Sequence, residues 1–79
     1  MMNSHIERIT VNPEICNGKP IIRNLRISVR TVLEYLAAGE STENILAAYH
    51  ILEAEDISAC LEFAANAVDS NLDNHRLAS

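Results

Sequence analysis

Lys19, Arg23, Arg26 and Arg30 crowd into one short stretch of a chain that holds six Lys and Arg in all. A guanidinium offers paired N–H donors to a carboxylate or phosphate, and a lysine ammonium adds a compact positive charge. The chemistry on offer is anion binding, either to the phosphates of a nucleic acid or to a carboxylate-rich protein surface. The plainer alternative is internal pairing with Glu7, Glu14, Glu34 or the acidic helices of the same chain. The net charge of −5 hides a division that frames this choice. Residues 1–30 carry a balance of +3 and residues 31–79 a balance of −8. One end suits an anionic partner and the other repels one.

Other site chemistries find less to work with. Cys16 and Cys60 stand far apart, as do His5, His50 and His75, with no CxxC and no metal-ligand spacing. No disulfide, metal or cofactor is expected from such a pattern. Cys60 falls on an apolar helical stripe and reads as a small core residue. Cys16, beside Asn17-Gly18, reads as a more exposed thiol with nothing placed to activate it. No Ser-His-Asp signature and no glycine-rich phosphate loop occurs, so the expected function is non-enzymatic.

The elements that must position the basic cluster change character at Ser28. Arg8 to Val11 alternates, with Ile9 and Val11 on one side, which predicts a short strand. Asn12-Pro13 ends it, and Asn17-Gly18 is a strong turn dipeptide. Pro20 to Arg23 is again strand-like, with a kink at Asn24 before Leu25–Ile27. Asn17, Gly18, Pro20 and Asn24 thus shape a bent ribbon arm over residues 7–28. Beyond it, Val29, Val32, Leu33 and Leu36 recur at helical spacing, with Ser28 as N-cap and Gly39 as terminator. Ser41 caps a second helix whose inner face is Ile45, Leu46 and Tyr49. A third helix is predicted over about 53–69, with Ile57, Leu61, Ala64 and Val68 as its inner stripe. Glu53, Glu55 and Asp56 crowd its first turn, where the helix dipole favours negative charge.

The expected fold is mainly α: a three-helix, helix-turn-helix-like bundle with a short N-terminal β-ribbon arm. Ala47 and Ile57 fall where such a motif wants a small and an aliphatic residue. One domain, residues 6–69, is expected, with residues 1–5 and 70–79 as frayed, flexible termini. The start of the third helix carries three carboxylates and no Lys, Arg, Asn or Gln, so it is poorly suited to enter a major groove.

The run NPEICNGKPIIRNLRISVRTVLEYLAAGESTENILAAYHILEAEDISACLEFAANAV resembles the domain-of-unknown-function 433 family. The pieces that carry the resemblance are Asn12-Pro13, Cys16-x-Gly18-Lys19-Pro20, Ile22-Arg23 and Arg26-Ile27. The Val32-Leu33…Leu36-x-x-Gly39 helix and the Asp56-Ile57 pair follow in the family's order. Asn24-Leu25 stands where the family usually has Gly-Thr, Glu53 where a Thr cap is common, and His50 where a proline is familiar. The long C-terminal extension that an antitoxin often threads into its toxin has no counterpart in these 79 residues.

The resemblance implies a VapB-like antitoxin that holds a PIN-like ribonuclease toxin inactive and represses its own operon as part of the complex; DNA contact through the basic arm is the possibility that the residues themselves leave open. Lys19, Arg23, Arg26 and Arg30 are the expected partner- or nucleic-acid-binding residues. Two alternatives stay open: a homodimeric structural module without DNA binding, and an autonomous DNA-binding repressor. A homodimer or hetero-complex is expected because so small a domain buries only about 60% of its unfolded surface. No apolar run approaches the roughly 20 residues that span a bilayer. Free thiols and the polar start MMNSHIERIT point to the cytoplasm without membrane contact.

Overall fold

A computed structural model describes the backbone of residues 4–75 and the side chains of residues 4–69. Its elements are β1 (Ile9–Val11), β2 (Pro20–Ile22), α1 (Val29–Ala37), α2 (Thr42–Ala48) and α3 (Ala54–His75). Single 3-10 turns at Ile6–Arg8 and Cys16–Gly18 precede the two strands. The predicted fold class, helices with a short N-terminal ribbon, is the observed one. Among the described residues, no helix is long and apolar enough to cross a membrane.

β1 and β2 pair antiparallel, with Ile9 opposite Ile22 and Val11 opposite Pro20. Pro20 opens its strand, where a missing N–H is tolerated. The connection turns through Cys16, Asn17 and Gly18, all at positive φ (52°, 59° and 76°). Asn and Gly accept that region readily, and Cys16 is carried into it by its neighbours. On the other edge of β2, the Ile22 N–H donates to the Ile27 carbonyl at 3.1 Å, and Ile21 bridges Ser28. β2 therefore runs between two extended segments. Both Ile21 and Ile22 are fully buried, which explains why this run is apolar without alternation.

The kink expected at Asn24 is a two-residue reversal that also takes in Arg23. Their φ values are 58° and 47°, and the Leu25 N–H donates to the Ile22 carbonyl at 2.7 Å. Left-handed conformation at both central positions is the mark of a type I′ turn. It suits Asn and costs an ordinary L-residue such as Arg about 1–2 kcal/mol.

The helix starts follow their caps. Ser28 Oγ accepts the Thr31 N–H and Ser41 Oγ accepts the Asn44 N–H, each at 3.1 Å. Gly39, at φ 95°, ends α1. Ile22, Val29, Val32, Ile45, Leu52, Ile57 and Cys60 form the core, which binds the ribbon to all three helices. Tyr35 and Tyr49 meet edge-to-face beside it, ring centroids 5.9 Å apart.

Three details depart from the sequence reading. The inner face of α3 is Asp56, Ile57, Ala59 and Cys60, with Phe63 packed against the core, whereas Leu61 and Val68 are 50% and 52% exposed. The apolar spacing was satisfied by two overlapping stripes, and the chain uses the one that includes Asp56. Ala47 is exposed, so its place in a helix-turn-helix template reflects no burial. Finally, α3 continues to His75, beyond the expected end of the third helix near Asp69. At the other end, Ser4 Oγ donates to Glu62 Oε2 at 2.7 Å and the His5 N–H donates to Glu62 Oε1 at 3.1 Å. Residues 1–3 and 76–79, expected to be flexible, lie outside the described residues.

Candidate functional site

The four predicted basic residues divide in the structure. Arg23, expected to face a partner, is turned inward. Its Nε donates to Asp56 Oδ1 at 3.0 Å and its Nη2 to Asp56 Oδ2 at 2.9 Å, a bidentate pair. Nη2 also donates to the Ile51 carbonyl at 2.9 Å. The turn explains the outcome, because its left-handed residues turn the Arg23 side chain toward the start of α3. Arg8 joins from the adjacent turn, its Nη1 reaching Asp56 Oδ1 at 3.0 Å and Glu53 Oε1 at 2.7 Å. Arg23 belongs to an internal ion cluster rather than to a free binding surface.

Asp56 is the centre of that cluster and was missed as such. It has no solvent exposure, and its Oδ2 also accepts the Glu53 N–H at 2.8 Å. This last bond is half of a capping box: the third residue of the helix reaches back to the residue before its start. One acidic residue thus caps α3 and clamps two segments of the arm. A signal was present in the sequence, since Asp56, Cys60 and Phe63 share one helical face at i, i+4 and i+7.

Burial is the largest single influence on the Asp56 carboxyl and pushes its pKa up. Hydrogen bonds from Arg23, the Glu53 N–H and Arg8 together outweigh it, leaving the value below the ordinary 3.8. A carboxyl lowered by folding adds stability above its unfolded value and loses it as pH falls through the folded one. Thermal midpoints should therefore drop below about pH 4. Glu62, lowered by its bonds from Ser4 and His5, acts in the same direction. Melts followed by circular dichroism check this: Asp56→Asn should start lower at neutral pH and change less on acidification. The Cys60 thiol, by contrast, is pushed up to about 11 by burial and by the Asp56 charge, as suits an inert core residue.

Lys19, Arg26 and Arg30 are exposed. Among the described residues, Lys19 and Arg26 hold no ion pair. Arg30 Nε meets Glu34 Oε2 at 3.1 Å, but the two side chains are 76% and 64% exposed. Such a solvated i,i+4 pair contributes about 0.3–0.5 kcal/mol and yields easily to a stronger partner. Lys19 and Arg30 flank an open groove of about 280 Å³ with Pro20, Val29, Leu33 and Phe63 along it. Lys19 and Pro20 of the arm set one bank of this groove, and α1 sets the other. The start of α3 presents Glu53 and Glu55 to solvent. It would repel phosphates rather than enter a groove of nucleic acid. No group of three His, Cys, Asp or Glu suited to a metal ion occurs among the described residues.

A family model described as "Protein of unknown function (DUF433)" matches residues 9–64, from the first strand to the middle of α3. A protein of Sinorhizobium fredii described as "Uncharacterized protein y4eO" is 41% identical over 51 residues. That match takes in 65% of this chain and 23% of the relative, so the chain spans under a quarter of that protein's length. A crystal structure described as a DUF433 member from Anabaena variabilis superposes with a TM-score of 0.72 at 32% identity. The superposition covers 91% of this chain and 69% of the other.

Proposed function

This chain belongs to the DUF433 family of proteins of unknown function, and on that premise we propose that it is a non-enzymatic, antitoxin-like regulatory module that binds a protein partner. The observation that carries the reading is the exposure of Lys19 and Arg26 on the arm and of Arg30 at the start of α1, in an otherwise acidic molecule. A PIN-like ribonuclease, whose active site gathers carboxylates, offers the complementary charge. Electrostatic complementarity of this kind chooses partners and speeds their encounter. DNA contact, if made, runs through the same three side chains, because Glu53 and Glu55 stand at the start of α3.

Capture of the tagged chain from its native lysate tests the proposal. The expected result is a stoichiometric ribonuclease, silent in the complex and active once released. Reversing Lys19, Arg26 and Arg30 to Glu together should abolish its capture while leaving the helical signal unchanged. Recovery of the chain with no ribonuclease would overturn the reading. Retention on DNA that falls steeply with added salt would favour an autonomous repressor instead.

A further inference from the structure

We infer that the groove between the ribbon and α1 receives the projecting end of α3 from a second copy of this chain, and that the exchange is reciprocal. The starting observation is how little of α3 its own chain covers. Core contacts end near Phe63 and Ala64, whereas every residue from Ala65 to Asp69 is exposed and the helical backbone continues to His75. A helical segment shorter than about 12–15 residues is marginal in water when nothing packs on it. The uncovered end carries Val68, 52% exposed, two turns beyond Leu61, 50% exposed, on an apolar stripe that its own chain leaves in water. A solvated helix end has no use for that stripe.

The cover that fits is in the same molecule. Phe63 lines the groove at the point where α3 leaves the body, next to Leu33, Val29 and Pro20. Lys19 and Arg30 flank the groove, while the projecting end carries Asp69 and no basic residue as far as Asn74. Basic groove and acidic helix therefore complement each other between copies, just as the two halves of the sequence differ in charge. Because groove and projecting end adjoin, two copies related by a two-fold axis satisfy both sites at once. That closed arrangement leaves no unfilled groove to propagate a chain. Lys19 and Arg30 also belong to the surface proposed for the ribonuclease, so a second copy and the ribonuclease compete for the groove, while Arg26 takes no part in self-association.

Sedimentation equilibrium of the purified chain, with no other protein present, is the test. The wild-type chain is expected to be a dimer, and Val68→Glu a monomer whose helical signal is unchanged. Lys19→Glu/Arg30→Glu and Asp69→Lys should each weaken the dimer at least tenfold. Mixing those last two variants should restore a one-to-one dimer, since each then supplies what the other lacks. A wild-type monomer at high concentration, a Val68→Glu chain that dimerises normally, or no rescue on mixing would each overturn the inference.

Discussion

Replacing Asp56 with Ala is expected to cost about 3–5 kcal/mol of stability, the range for removing one partner from a buried ion pair. A domain of this length has about 4–12 kcal/mol in all, so the loss removes roughly a quarter or more of its stability. The carboxylate is fully buried and accepts from Arg8, from two donors of Arg23 and from the Glu53 N–H. Its loss strands two guanidinium groups at once. Because the Arg8 and Arg23 side chains keep 27% and 35% exposure, water can partly replace the lost bonds. The lower end of the range is therefore the better expectation. Urea titration measures it directly. A loss under 1 kcal/mol would mean that both arginines rehydrate freely and that the cluster holds nothing together. Asp56→Asn should lose less, because its amide oxygen can still accept the Glu53 N–H.

The arrangement explains why an arm of this sequence tolerates strain. Arg23 occupies a left-handed conformation that an L-residue adopts only when something outweighs the cost. Its side chain supplies that compensation, with three hydrogen bonds to α3 and the corner before it. Turn and ion cluster are thus energetically coupled. A double-mutant cycle between Arg23→Ala and Asp56→Ala should give well under the sum of the two single losses.

How much of this was legible beforehand depends on the range over which each feature is decided. Ser28, Ser41 and Gly39 act within one turn of helix, so their roles as caps and terminator could be read directly. Asn17-Gly18 likewise fixes its own turn. Arg23 was misread because its fate depends on Asp56, 33 residues away, and no local pattern reports that distance. Asp56 was read only as one of three acidic residues favoured by the helix dipole, because acidic first turns are usual. The stripe of α3 failed differently. Ile57 and Ala64 belong to both candidate faces, and the decision between Leu61 and Cys60 rests on where the ribbon packs. Lys19, Arg26 and Arg30 were placed correctly as exposed side chains, since nothing nearby competes for them strongly.

The second large effect is expected at β2, and it separates two descriptions of the arm. If the arm were a two-stranded ribbon with one face in water, Ile22→Ala would be costly and Ile21→Ala nearly free, because successive side chains point to opposite faces. The observed β2 lies between β1 and the Ile27–Ser28 segment, and both isoleucines have no solvent exposure. Ile22 enters the core shared by the three helices, while Ile21 is buried outside that cluster. Each Ala substitution is therefore expected to cost about 2–5 kcal/mol, with Ile22 at the upper end because its cavity opens among helices that cannot close over it. Val11, 63% exposed at the end of β1, is the control and should change stability by under about 0.5 kcal/mol. Urea midpoints of the three variants give the answer. Ile21→Ala behaving like Val11→Ala would show that the outer face of the ribbon is open to water in solution. A large loss at both isoleucines would show that this short strand is an interior element, held on two faces and on both edges.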